Sequence, residues 1–348
     1  MLLAGGMSTR LYPLTRQVPK PLVPVAGEPI SAQILRYLHS YGIDDVAINV
    51  HYHADQIREA FGDGSRYGVR LHYLEEPKLM GSAGAVKQMQ DFFSDGTFIV
   101  IGCDILTDAN LHDLVAFHRK RNALATIALS HMDDVEQYGV VITTKSGRII
   151  DFQEKPAKGT ERAHDVNAAI YCFEPGIFDH IPAGVFIDFG KDVFPALQRE
   201  GAAFYGLRMP SAYWCDIGTP GEYRRGTSDL LAGRVGVGRA PNGGVPSDAA
   251  LGKDVRVEGN VYIGQAARIG DGVQIIGPAV IGNRANIHSR AIIDHSIIWD
   301  DVVVGEGARL DGAIIGNAYE IPARAKINGE IIANGDPVEL AKGRPVAR

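Results

Sequence analysis

Cysteine is scarce in this chain: Cys103, Cys172 and Cys215 are the three in 348 residues. They are far apart, odd in number and set in apolar, strand-like runs. With no C-x-x-C pair, a disulfide scaffold and a cysteine-rich metal site are both excluded, and reduced, buried thiols are expected. Long hydrophobic runs are missing too. None approaches the roughly 20 residues needed to cross a bilayer, so no membrane partner is expected. The start of the chain carries no basic segment ahead of an apolar one, so no secretory signal is read there and a cytoplasmic location is expected. Positive charge is not in excess. Lys and Arg number 35 against 41 Asp and Glu, a net charge of −6, which argues against a nucleic-acid partner. A local basic pocket for phosphates is compatible with that balance. The hydrophobic share is 45% and the charged share 22%, as in ordinary globular proteins. The length exceeds the usual single-domain size of roughly 100–150 residues, so two domains are expected.

The most informative stretch is Leu3-Ala4-Gly5-Gly6-Met7-Ser8-Thr9-Arg10, followed by Pro19-Lys20-Pro21. An apolar strand start runs into a glycine turn, then hydroxyl residues, an arginine, and a lysine between two prolines. Glycine lets backbone N–H groups approach a polyphosphate closely. Arg10 and Lys20 add positive charge where phosphates would lie. The run is neither a G-x-x-x-x-G-K-[ST] loop nor a G-x-G-x-x-G fingerprint. Lys20 is expected in an extended stretch, because proline restricts both itself and its neighbour.

Two patterns organise the chain. Ala47–Val50, Arg70–Tyr73, Phe98–Ile101 and Thr126–Leu129 read as short buried strands. Helical patterns around Ile34–Leu38, Gln56–Phe61 and Leu111–Phe117 alternate with them. This alternation predicts an α/β fold with a doubly wound, mostly parallel sheet whose ligands sit at the carboxyl ends of the strands. A Gly, Pro and Asn-rich stretch over residues 233–248 reads as a linker. Beyond it the period is six. Val257, Ile263, Ile269, Ile275, Ile281, Ile287, Ile293 and Trp299 recur in phase, with Val261, Ala267, Val273, Ala279, Ala285, Ala291, Ile297 and Val303 four positions later. That is the signature of a hexapeptide β-helix. The run predicts about three turns, or four with ragged ends. The expected organisation is a catalytic domain over 1–232, a linker over 233–248, and a β-helix with a C-terminal tail over 249–348.

The motif Leu3-Ala4-Gly5-Gly6-x-Ser8-Thr9-Arg10-Leu11-x-Pro13-Leu14-Thr15, with Pro19-Lys20-Pro21-Leu22-x-Pro24-Val25, resembles the signature of sugar-1-phosphate nucleotidyltransferases, also called sugar-nucleotide pyrophosphorylases. The family form has glycine where Ser8 stands. The resemblance implies a Rossmann-like mixed sheet for the first domain and a left-handed helix with three hexads per turn for the second. It also implies a reaction in which a sugar 1-phosphate attacks the α-phosphorus of a nucleoside triphosphate and pyrophosphate leaves. No protein nucleophile is needed, and the problem is to hold two polyanions in line. On the matching positions, Arg10 and Lys20 bind phosphate and Lys155 holds the sugar phosphate. Glu154, Gly139 and Asn167 take the sugar. Leu3, Ala4, Gly5, Gly6, Ser8, Thr9, Gly81 and Ser82 line the nucleotide. Asp104 and Asp216 match the family's two Mg²⁺ aspartates, a set that suits a hard cation keeping phosphate and water ligands. The catalytic set is therefore Arg10, Lys20, Asp104, Lys155 and Asp216. The third residue of Asn167-Ala168-Ala169 departs from the family's glycine.

Glu75-Glu76-Pro77 lies where the family reads the base. A carboxylate only accepts hydrogen bonds, and guanine offers two adjacent donors. Gly81-Ser82-Ala83-Gly84 also resembles the Gly-Thr-Ala-Gly of guanylyltransferases, so GTP and mannose 1-phosphate are the expected substrates. The competing readings are a UTP- or dTTP-dependent enzyme acting on glucose 1-phosphate and a silent sugar-nucleotide-binding subunit. The retained cations and aspartates argue against the silent subunit. A second, acyl-transferring activity on His288 or His295 is the weakest reading, because isolated histidines in repeats are usually surface residues. The β-helix is expected to serve assembly, giving a homo-oligomer.

Overall fold

The computed structural model describes residues 1–236 and 246–334. Residues 237–245 of the expected linker and the tail from 335 lie outside this range. The chain packs as two compact units. One comprises Met1–Met7 with Ile34–Asp216, the other Ser8–Gln33 with the chain from Ile217 onward.

The first unit is built on a nine-stranded sheet. Its first half is parallel: Phe98–Gly102, Leu2–Leu3, Asp45–Val50 and Arg70–Glu75 lie side by side in that order. Phe98–Gly102 and Asp45–Val50 are buried almost throughout, whereas Arg70–Glu75, expected as a buried strand, is the edge strand and has no buried residue. The other half is mostly antiparallel, with Phe204–Arg208 running parallel to Ala125–His131. Asp165–Phe173 pairs with Phe98–Gly102, with Gly139–Thr143 and with Ala125–His131. The sheet is therefore mixed rather than mostly parallel. The switch comes where Asp165–Phe173 runs antiparallel to Phe98–Gly102, and Gly139–Thr143 and Ile149–Glu154 form a hairpin beyond it, a connection that parallel strands cannot make. Phe173, Phe189, Phe194 and Phe204 interlock in the core, with successive ring centroids 5.1, 5.4 and 5.2 Å apart. The three cysteines form no disulfide and are buried, as expected.

The second unit contains a left-handed parallel β-helix of three five-stranded stacks. That is five coils rather than three or four. The reason is a slip in the repeat. Early coils span 18 residues, as in Gln274 opposite Ile292, and later ones 17, as in Ile292 opposite Arg309. One residue is lost between Asp294 and Ile297, so a fixed period of six runs out of phase there. Ile263, Ile269, Ile275, Ile281, Ile287 and Ile293 point inward as expected, and Ile298, Val304, Leu310, Ile315, Ile321, Ile327 and Ile332 continue the column. Trp299, Ile297 and Val303 do not join it, because Ile298, Val302 and Val304 take the inward positions. Val257, in the first coil, is 43% exposed. A polar ladder supplements the core: Gln265 N–H bonds Asn283 Oδ1, Asn283 N–H bonds Asp300 Oδ1, and Asp300 N–H bonds Asn317 Oδ1.

Strand alternation gives one side of the β-helix an outward-facing apolar row. Tyr262, Val280, Ile297, Ile314 and Ile331 stand in register on it, yet Val280, Ile297 and Ile314 are at most 4% exposed. The helix Pro220–Leu231 covers them. It starts at an N-cap where Thr219 Oγ1 accepts from Glu222 N–H, with Pro220 at its first position, both standard start signals. Its Arg224 guanidinium donates to Gly312 O at 3.0 Å and Gly329 O at 2.9 Å on the β-helix. No helix among the described residues is long and apolar enough to cross a membrane.

Candidate active site

Three adjacent parallel strands of the first unit end at one small constellation. Ala4 N–H, just past the first strand, donates to Asn49 Oδ1 at 2.9 Å. Asn49 Nδ2 donates to Glu76 Oε2 at 2.6 Å, and Met80 N–H donates to Glu76 Oε1 at 3.1 Å. Glu76 is only 2% exposed, so burial is offset by donors on both carboxylate oxygens. Its neighbour Glu75 points the other way and pairs with Arg58 at 3.0 Å in solvent. Strand alternation separates the two glutamates, and Glu76 is no solvated loop charge. A cavity of about 320 Å³ opens over this floor, lined by Leu3, Gly5, Gly6, Asn49, Glu76, Leu79, Gly81, Ser82 and Phe186. Gly5 is required by space: a Cβ there would lie 2.7 Å from Asn49 Nδ2 and 2.9 Å from Glu76 Oε2.

Gly81 opens the helix Gly81–Gln88 with φ +79°, and a Cβ would meet Ile187 O at 2.3 Å. Ser82 is committed within the protein. Its hydroxyl donates to Asp188 Oδ2 at 2.7 Å and accepts from Phe189 N–H at 3.0 Å. Asp188 was not singled out from the sequence. Its Oδ1 accepts from Gly190 and Lys191 N–H, capping the π-helical turn Phe189–Val193. The signal that could have found it is the helix-start pattern of an Asp ahead of Phe-Gly-Lys-Asp.

Glu154 lies opposite Gly139 in the hairpin. A Cβ at Gly139 would lie 3.0 Å from Glu154 Oε2, and one at Gly190 2.6 Å from it, so two glycines enclose this carboxylate. Burial raises its proton affinity most. Asp188 adds to the rise, while Lys155 and Lys191 oppose it. Lys155 adopts φ +47° and donates its N–H to Tyr138 O at 3.0 Å. Asn167 Oδ1 accepts from Ala169 N–H at 2.9 Å, and its Nδ2 donates to Tyr171 at 3.1 Å. The Tyr171 phenol is held protonated, chiefly by burial and further by Asp188, Glu154 and Asp104. The carboxylates therefore converge on one neighbourhood. Ala169 sits at φ +54° and Ser8 at φ +53°. At these two departures from the family's glycine, though not at Cys103, where the family also has glycine, the backbone is the left-handed one that favours glycine.

Asp104 follows the strand Phe98–Gly102. It folds back so far that a Cβ on Gly102 would lie 2.9 Å from its Oδ1. Asp216 stands opposite Ile105 in the short ladder joining Ile105–Thr107 to Trp214–Asp216. The two aspartates are thereby diagonal neighbours. Among the described residues no group of three or more His, Cys, Asp or Glu side chains could hold a metal ion. Two carboxylate donors still suit Mg²⁺, which takes its remaining ligands from phosphates and water.

Ser8, Thr9, Arg10 and Lys20 belong to the second unit. Thr15 Oγ1 donates to Ser8 O at 2.7 Å, tying down the start of the Thr9–Leu11 turn on which Arg10 is exposed. Lys20 is 7% exposed. The extended backbone expected there ends at Pro19. Lys20–Leu22 form a 3₁₀ turn, with Leu22 N–H on Pro19 O at 2.8 Å and Val23 N–H on Lys20 O at 3.0 Å. Pro21 fits because its position early in the turn needs no N–H donor. On the β-helix, His288 and His295 are exposed, and His295 pairs with its neighbour Asp294.

Comparison with known proteins agrees with this geometry. Residues 1–233 match the model of the nucleotidyl transferase family, and residues 245–342 match that of the EIF2B subunit epsilon LbH domain. A UTP–glucose-1-phosphate uridylyltransferase from Synechocystis is 37% identical over 92% of this chain and 87% of its own length. A mannose-1-phosphate guanylyltransferase from Mycobacterium tuberculosis is 32% identical over 89% of this chain and 82% of its own. The crystal structure of HddC from Yersinia pseudotuberculosis, 24% identical, superimposes with a TM-score of 0.58 over 66% of this chain and 97% of that one, a likeness of fold alone. The chain belongs to the nucleotidyl transferase family, among the sugar-1-phosphate nucleotidyltransferases.

Proposed function

We propose that this chain transfers a guanylyl group from GTP to mannose 1-phosphate, releasing pyrophosphate. The observation that carries the choice of base is the buried Glu76 carboxylate on the pocket floor. Asn49 and Met80 use one acceptor site on each oxygen. A carboxylate has about four, so each oxygen keeps one for the adjacent N1–H and N2–H of guanine. A uracil edge puts one donor between two acceptors and suits a carboxylate less well.

Arg10 and Lys20 are assigned to the departing pyrophosphate and Lys155 to the attacking sugar phosphate. Glu154, Gly139 and Asn167 take the sugar, with Asp188 holding the turn beside Glu154. Leu3, Ala4, Gly5, Gly6, Ser8, Thr9, Gly81 and Ser82 line the nucleotide. Asp104 and Asp216 are assigned to Mg²⁺; the two carboxylates would hold the ion, which would supply positive charge to the reacting phosphates. The protein's own contribution is alignment of two anions and charge placed in advance. We further assign residues 1–232 to catalysis, 233–248 to a linker and 249–348 to a β-helix domain with its tail, in a cytoplasmic homo-oligomer.

A second reading, uridylyl transfer to glucose 1-phosphate, is favoured by the 37% identity to the Synechocystis enzyme. Glu76→Gln separates the two. Under the guanine reading it lowers kcat/KM for GTP and shifts preference toward UTP or dTTP. Unchanged relative kcat/KM across the nucleotides would sink that reading.

A further inference from the structure

The second unit holds a buried polar chain that the reaction does not use directly. Trp299, displaced from the β-helix core by the repeat slip, turns outward and is 2% exposed. Its Nε1–H donates to the Tyr223 hydroxyl at 2.9 Å. That hydroxyl in turn donates to Pro24 O at 2.5 Å. Tyr223, on the covering helix, is fully buried, and burial keeps its phenol protonated well above the ordinary range. It therefore stays a donor at every working pH. Pro24 begins the hairpin Pro24–Val25 with Glu28–Pro29. The hairpin turns through Ala26 at φ +50° and Gly27 at φ +82°.

The hairpin is clamped at a second point. A Cβ on Gly27 would lie 2.3 Å from the Tyr262 ring of the β-helix, so only glycine lets the turn seat there. On the other side of Pro24, Val23 N–H bonds Lys20 O and Val23 O accepts from Ile30 N–H, both at 3.0 Å. The 3₁₀ turn that carries Lys20 is thus joined to the clamped hairpin with no slack residue between them.

We propose that the β-helix sets the position of the Lys20 turn through the Trp299–Tyr223–Pro24 chain, making Trp299 and Tyr223 positioning residues for phosphate binding. The inference rests on the assignment of Lys20 to pyrophosphate. An apolar pair of similar volume would fill the same space without fixing one arrangement. A buried pair of oriented donors gains its full bonding in one register only and is costly in any other.

The test uses the full-length enzyme in the reverse direction, with inorganic pyrophosphate as the varied probe and GDP-mannose or UDP-glucose as its partner. Tyr223→Phe keeps every ring carbon, and Trp299→Phe removes the donor. Each is expected to raise KM for pyrophosphate roughly tenfold, as a displacement of the turn would, with KM for the nucleotide-sugar unchanged within about twofold. KM does not depend on the folded fraction, so partial unfolding lowers only the apparent kcat. The double variant is expected to match the singles, because one chain is broken once. Lys20→Ala separates the failures. If it leaves KM for pyrophosphate unchanged, the assignment of Lys20 is wrong and the inference falls with it. If it raises that KM while Tyr223→Phe and Trp299→Phe do not, the positioning role alone is wrong. A parallel rise in both KM values would indicate general distortion and would also overturn it.

Discussion

Replacing Gly5 by alanine adds one methyl group at a crowded point of the pocket floor. The new carbon would lie 2.7 Å from Asn49 Nδ2, 2.9 Å from Glu76 Oε2 and 3.2 Å from Leu79 Cδ2. The first two atoms are the donor and acceptor of the 2.6 Å bond that holds Glu76. Asn49 cannot retreat freely, because its Oδ1 accepts from Ala4 N–H at 2.9 Å. Overpacking costs about 1–3 kcal/mol, and loosening a buried hydrogen bond to a charged group about 1.5–3 kcal/mol. The two overlap, so a loss of about 2–4 kcal/mol is expected, lowering Tm by roughly 5–15 °C for a unit of this size. Calorimetry checks the stability. Steady-state kinetics are expected to show a raised KM for the nucleoside triphosphate with little change for the sugar 1-phosphate. An unchanged melt together with an unchanged nucleotide KM would refute the linked Ala4–Asn49–Glu76 floor.

The left-handed backbone at Ser8 and Ala169 costs a non-glycine residue about 1–2 kcal/mol, and glycine gives back about 0.4–1 kcal/mol through the unfolded chain. Ser8→Gly and Ala169→Gly are therefore each expected to stabilise by about 0.5–1 kcal/mol, read as a higher denaturant midpoint; a drop would contradict the strain. His118 is fully buried between Thr126 Oγ1 at 2.8 Å and Glu174 Oε1 at 3.2 Å. Burial, outweighing Glu174, pushes its proton affinity below the ordinary 6.5. The unfolded chain then binds the proton more readily, so stability is lost as pH falls below about 6.5. The urea midpoint is expected to drop more between pH 7.5 and 5.5 in the wild type than in His118→Gln, and equal drops would oppose this reading.

The legible parts of this fold are those where local pattern and packing agree. Phe98–Ile101 reads as a buried strand because it is one, covered on both faces. The inward column of the β-helix is visible from Ile263 to Ile293 because each coil there is 18 residues long. Past Asp294 the same architecture continues, but each coil is one residue shorter, so the inward positions slip by one more with every turn. A fixed period then selects Trp299 and misses Ile298. Candidate site residues could be nominated where a residue type is unusual for its place, as with Lys20 between prolines. Glu76 was singled out, but not its depth, since burial is settled by strands that meet it from 27 to 72 positions earlier. Asp188 was missed because it acts through Ser82, 106 residues away. No local pattern records that pairing.

The most direct test of the account measures pyrophosphate release by the wild-type enzyme with Mg²⁺, over five nucleoside triphosphates and several sugar 1-phosphates. The expected result is turnover with the highest kcat/KM for GTP with mannose 1-phosphate. A preference for UTP with glucose 1-phosphate would contradict the role given to Glu76. No release from any pair would contradict nucleotidyl transfer itself.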